Sequence, residues 1–214
     1  MHSTGNIYAQ HNLERRGRGF ALFEQERAAF LQQAIGSGKK IIDLGSRDGT
    51  LTKYLVKDNE VWAADIDRAS LAYLKERLPE VETVQLDLNE GTWDLPQGYF
   101  DAVVLAETLE HLYYPERVLE RIKGLLKEDG ILIGSVPNGF SLKNRIRLLF
   151  GKKQHSSLAD PTHINHFAYS ELLGLLSKTF RKATIYPLIQ PKYRALARLS
   201  PSLFSFSLLF WAKK

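Results

Sequence analysis

Lys39-Lys40-Ile41-Ile42-Asp43-Leu44-Gly45-Ser46-Arg47-Asp48-Gly49-Thr50-Leu51 is an apolar run closed by an acidic residue and a glycine-punctuated turn. Ile41, Ile42 and Leu44 read as a buried strand. Gly45 and Gly49 permit a sharp bend, with close approach of the backbone to a ligand, before a helix expected near Thr50. A dinucleotide fingerprint would place glycines at 45, 47 and 50, where this chain has Gly45, Arg47 and Thr50. Two of the three positions that admit a pyrophosphate are therefore blocked, which disfavours a dehydrogenase.

The alternation continues outward from that turn. Upstream, Phe23, Ala28, Phe30, Leu31 and Ala34 space a helix from Phe20 to Ile35, stopped at Gly36 and Gly38. Downstream, Leu51, Tyr54 and Leu55 suit the apolar stripe of the expected helix. Val61 to Asp65 reads as a second strand, then a helix from Ala69 to Leu78 capped by Asp67, a third strand from Glu82 to Leu86, and a fourth from Phe100 to Ala106. A helix over Glu116–Lys127 leads to a strand from Ile131 to Asn138. Beyond it come a helix from Ser170, its expected N-cap, to Ser177, and two last strands, Phe180–Leu188 and Phe204–Ala212. Such alternation implies an open parallel sheet that takes ligands at the carboxyl ends of its strands.

At 214 residues, one α/β domain (37–214) behind an N-terminal arm and helix (1–36) is expected, the first 17 residues being a flexible arm that folds over the ligand. The absence of cysteine excludes disulfides and thiolate sites. No signal-type or membrane-spanning apolar run is present, so a soluble cytoplasmic protein is expected. The net charge of +5 is unevenly spread: residues 138–214 hold 13 Lys and Arg against only Asp160 and Glu171. That field favours an anionic small-molecule, lipid-linked or nucleic-acid partner over a neutral one. Residues 140–150, with Lys143, Arg145 and Arg147 among apolar side chains, form a basic amphipathic segment. It is expected to pack on the sheet with its arginines outward, or else to lie over the substrate slot or on an anionic membrane.

Asp43, Gly45 and Gly49 resemble the first motif of class I S-adenosylmethionine-dependent methyltransferases, with Arg47 in place of the usual middle glycine. Leu109-Glu110-His111-Leu112 resembles a segment of their small-molecule branch. Asp160 to Leu173 resembles a stretch of the methionine-biosynthesis MetW and ubiquinone-biosynthesis groups. The resemblance implies a Rossmann-like α/β sandwich with a mostly parallel seven-stranded sheet and an antiparallel last strand. It also implies S-adenosyl-L-methionine as cofactor. Asp65 would bind the ribose hydroxyls and Asp87 the adenine amino group beside Leu88. Asp43, Gly45, Ser46, Arg47, Gly49, Ile66, Ala106 and Glu107 would complete the cofactor set.

His111 and His163 are the candidate bases for an acceptor hydroxyl. His163 and His166 are too few ligands to predict a metal site. Two other readings remain: a methyltransferase-like partner of a biosynthetic enzyme, suggested by the bulk of Arg47, and a nucleic-acid methyltransferase. The second is disfavoured because Ala106-Glu107-Thr108-Leu109 stands where base-amine enzymes carry an Asn/Asp-Pro-Pro-Tyr-like motif.

Overall fold

The computed structural model describes residues 17–154 and 156–214. The arm expected over residues 1–17 lies outside them except for Gly17. In chain order the elements are α1 (Glu24–Ile35), β1 (Lys40–Leu44), β2 (Glu60–Asp65), α2 (Arg68–Arg77), β3 (Glu82–Gln85), β4 (Phe100–Ala106), α3 (Pro115–Leu125), β5 (Leu126–Pro137), α4 (Leu142–Leu149), α5 (Tyr169–Thr179), β6 (Lys182–Ile189), the one-turn helices α6 (Arg194–Ala197) and α7 (Pro201–Phe204), and β7 (Ser205–Lys213).

The strands form one seven-stranded sheet in the order β3-β2-β1-β4-β5-β7-β6. β1 pairs in parallel with β2 and β4, whereas β7 runs antiparallel to both β5 and β6. Chain order reverses between β1 and β4, so a crevice opens at their carboxyl ends.

Period-two alternation sorts the strand residues onto two cores. Ile42, Leu44, Val103 and Leu105 face α3 and α5 through Leu119, Ile122, Leu172 and Leu176. Ile41, Ala63, Val104 and Ile133 face α1 and α2 through Leu31, Ile35 and Leu74. With both faces covered, the central strands read as continuous apolar runs.

Three local expectations change. The helix after the central turn is a single 3-10 turn, Thr52–Tyr54. Here the Asp48 carboxylate accepts the Thr50 N–H and Asn59 Nδ2 donates to the Leu55 carbonyl, so side chains capture backbone groups a longer helix would use, while the Thr52 hydroxyl donates to Asp43. α3 stops at Leu125 because Leu126 pairs with Phe100; the Asp129-Gly130 turn is instead an irregularity within β5, after which Ile131 pairs with Ala102. α5 begins at Tyr169, and the Glu171 carboxylate accepts the Ala168 N–H, leaving Ser170 inside the first turn.

In α4 Lys143 and Arg145 lie outward as expected, but the apolar side chains expected to pack on the sheet do not. Only Asn144 of the helix is buried, anchored by its amide to the carbonyls of Asn138 and Gly139. Ile146, Leu148, Leu149 (81% exposed) and Phe150 (71%) face outward beside the cations. Among the described residues no helix is long and apolar enough to cross a membrane.

Candidate functional site

A cleft of about 340 Å³ occupies the crevice at the carboxyl ends of β1 and β4. Its floor is the turn leaving β1. Gly45 has φ +78, and a Cβ there would fall 2.3 Å from the Thr108 hydroxyl oxygen, so glycine alone lets this turn approach the exit of β4. Gly49 does not line the cleft. Its φ is +77 and a Cβ would meet Leu74 at 2.7 Å, so it serves packing against α2. Ser46, Ile66, Leu88, Ala106 and Glu107 all line the cleft.

The acidic residues divide the labour. Asp43 is buried, accepts the Thr52 hydroxyl at 2.7 Å, and has its pKa pushed up to about 6 by burial and by the neighbouring Asp65. Asp65, at the tip of β2, accepts the Arg47 N–H and the Asp67 N–H, each at 2.8 Å. Burial raises its pKa and those two bonds partly offset the rise. Its carboxylate is thereby fixed in orientation on the wall of the cleft. Asp87 lines the far end and accepts the Asn89 N–H, so it stabilises its own turn while facing the cavity.

Arg47 takes a left-handed backbone, φ +50, where a glycine would be unstrained. Its guanidinium pairs with Asp48 at 3.2 Å and donates to the carbonyls of Gly17 and Phe20. It thus clamps the segment before α1, from which Phe20, Ala21 and Leu22 form one wall of the cleft.

Sequence reasoning missed two charged residues here. Burial alone would raise the pKa of Asp48, yet bonds from Thr50, Gly19 and Arg47 hold it below the usual carboxylate range. Arg27, buried on α1, pairs with Glu107 at 2.8 Å, so the negative charge expected to face the cofactor is neutralised from below. Arg27 sits beside the apolar helix positions Ala28 and Leu31, which marks its burial in the sequence but not its partner.

The two candidate bases converge. His111 closes the 3-10 turn Leu109–His111 and lines the cleft; His163 does not line it, but its ring packs edge-on against His111 with centroids 4.8 Å apart. His111 Nδ1 donates to the Thr162 carbonyl at 2.8 Å, and His163 Nδ1 to the Ser157 carbonyl at 3.0 Å. Glu110, 1% exposed, places Oε1 4.0 Å from Nε2 of each ring. The backbone N–H groups of Ile164 and Asn165 both donate to the Glu110 carbonyl at 2.9 Å, fastening this turn to the 160–165 loop. Glu110 was quoted in the motif without a role. Its weight appears only once the fold brings position 163 against position 110.

A slot with apolar walls, a fixed ribose-type acceptor in Asp65 and a second carboxylate in Asp87 is suited to an adenosine group. The chain is similar over 117 residues to a probable S-adenosylmethionine-dependent methyltransferase of Mycobacterium tuberculosis, with 30% identity over 55% of this chain and 39% of that protein. A ubiquinone biosynthesis O-methyltransferase of Nitrosococcus oceani is 32% identical over 48% of this chain and 45% of its own. Human mitochondrial arginine-hydroxylase NDUFAF5 is 28% identical over 81% of this chain and 54% of its own. The chain thus spans about half or less of these relatives' lengths. Among solved structures, a SAM-dependent methyltransferase from Archaeoglobus fulgidus superposes with a TM-score of 0.69 over 97% of this chain and 99% of that one, at 19% identity. The methyltransferase domain family model matches residues 13–179, and by that match this chain belongs to the methyltransferase domain family.

Proposed function

We propose that this chain transfers the methyl group of S-adenosyl-L-methionine to an oxygen of a small, anionic or lipid-linked acceptor that it meets at a membrane surface. The observation that carries the acceptor class is the face built by α4 and the 190–204 connection. α4 joins this connection through α7, and both leave the sheet at the carboxyl edge, where the cleft opens. Leu149, Phe150 and Leu199 (84% exposed) stand out from it, while Lys143, Arg145, Arg147, Lys152, Lys153, Lys192, Arg194 and Arg198 supply cations with no acidic residue in either segment. Exposed apolar groups ringed by cations complement an anionic bilayer.

In this reading Asp65 and Asp87 hold the adenosine and the Glu110–His111–His163 cluster receives the acceptor oxygen. The lone pair on His111 Nε2 is placed to take its proton. The partner-only reading rested on crowding by Arg47. Arg47 lines the cleft, and the engagement of its guanidinium by Asp48, Gly17 and Phe20 supports a slot left open to the cofactor beside it.

The test is co-sedimentation with vesicles containing phosphatidylserine or phosphatidylcholine alone, followed by a methylation screen on vesicle-borne phenols and phosphorylated glycans. Binding to the anionic vesicles alone, weakened by Leu149→Asp with Phe150→Asp, is expected. Equal recovery from both vesicle types would remove the membrane element.

A further inference from the structure

The Glu110, His111 and His163 side chains are arranged as ligands. A neutral imidazole carries one N–H. Because Nδ1 of each ring donates to a backbone carbonyl, Thr162 for His111 and Ser157 for His163, both rings are held in the tautomer whose Nε2 bears the lone pair. Metal-bound histidines are oriented in this way, by a carbonyl or carboxylate on the other ring nitrogen. Both Nε2 atoms stand 4.0 Å from Glu110 Oε1, and the three donor atoms lie within 4.8 Å of one another. Four ångströms is too long for a hydrogen bond. Ligand atoms about 2.1 Å from a tetrahedral zinc stand roughly 3.4 Å apart, so closure on an ion needs only a small contraction. Asp160 Oδ2, 3.9 Å from the same His163 nitrogen, adds negative charge at the rim.

We propose that Glu110, His111 and His163 bind one divalent transition-metal ion. Two imidazole nitrogens and one carboxylate suit zinc, manganese or iron, whereas magnesium and calcium prefer all-oxygen shells. Three protein ligands leave coordination positions open. Of the three ligands His111 lines the cleft, so an ion on its Nε2 would stand at the cleft wall. The consequence for turnover rests on the methyl-transfer reading above. With the ion bound, His111 Nε2 would be a ligand in place of the base named above, and an acceptor hydroxyl on the ion would lose its proton to solvent at a lowered pKa. The oxygen then forms its bond to the methyl carbon as the sulfur–carbon bond breaks, and that electron pair stays on sulfur as a neutral thioether.

The test starts from protein dialysed against a chelator. Cobalt(II) chloride is titrated in while visible absorption is followed, and zinc chloride is titrated separately by calorimetry. One equivalent of cobalt with nitrogen-and-oxygen-ligand bands, displaced by zinc, is expected. His111→Ala and Glu110→Gln should each lower the affinity by about tenfold or more while keeping S-adenosylhomocysteine binding. Substoichiometric binding by folded wild-type protein would overturn the site, as would unchanged affinity in His111→Ala, which is better placed to fold than a variant of the more deeply buried Glu110 or His163. Metal bound without turnover of any acceptor would sustain the site and count against methyl transfer. Full methyl transfer by metal-free protein would do the reverse.

Discussion

Arg27 Nη2 lies 2.8 Å from Glu107 Oε1, an ion pair buried between α1 and the exit of β4. Oε1 also accepts the hydroxyls of Ser135 and Ser207, at 3.0 and 3.3 Å. The carboxylate is thus anchored from three elements, on a residue whose own φ is +54. Arg27→Ala leaves that charge buried without its cation, a loss expected to cost about 3–5 kcal/mol. The denaturation midpoint in urea measures it. Adding Glu107→Gln to Arg27→Met should recover much of the loss, because the pair is then replaced rather than broken; if the double variant is no more stable than Arg27→Ala, the pair is not the source.

Asp65 joins the two turns that frame the cleft through its bonds to Arg47 and Asp67. Asp65→Ala should weaken S-adenosylmethionine binding by about 1–3 kcal/mol through lost charged hydrogen bonds. Titration calorimetry reads this directly. Unchanged affinity in a folded variant would take Asp65 out of the cofactor site.

Asp43 makes a pH-dependent contribution with a definite sign. Its folded pKa, about 6, lies above the ordinary carboxylate value of 3.8, chiefly because burial penalises the charged form. The folded state therefore holds the proton more tightly than the unfolded chain, so this group favours folding at low pH. Its contribution fades as pH rises from about 4 through about 6. Asp43→Asn keeps an acceptor for the Thr52 hydroxyl and removes the titration. The stability of the variant relative to wild type should thus climb across that window and level off above it. A difference that stays flat from pH 4 to pH 7 would show that Asp43 is not titrating there.

The strand pattern was legible because burial on both faces leaves continuous apolar runs, as in Ala102 to Leu105. That Asp65 and Asp87 stand at the ends of β2 and β3, on the wall of one cleft, was legible too, because the motif spacing locates the strand tips. Three things were not. The 3-10 turn at 52–54 depends on Thr52 reaching Asp43, nine residues earlier. The Arg27–Glu107 pair spans 80 positions, and no local pattern couples a helix arginine to a strand exit. The convergence of Glu110, His111 and His163 requires the 160–165 loop to return to the β4 exit, a contact made by backbone groups of Ile164 and Asn165 that any residue but proline could supply.

Arg47 stands where the related motif carries glycine, and its two roles pull in opposite directions. Its left-handed φ of +50 costs roughly 1 kcal/mol relative to glycine. In return its guanidinium ties Asp48 to the Gly17 and Phe20 carbonyls and closes one wall of the cleft. Arg47→Gly should relieve the backbone and leave global stability within about 1 kcal/mol of wild type. It should also loosen the wall carrying Phe20, Ala21 and Leu22, giving faster proteolysis there and faster S-adenosylhomocysteine release in stopped flow. Arg47→Ala keeps the strain and removes the clamp, so it should be the less stable of the two while releasing ligand as fast. If Arg47→Gly retains wild-type release and protease resistance, the clamp has no part in holding the ligand, and the Asp48 bond to the Gly19 N–H at 2.6 Å must hold that wall instead.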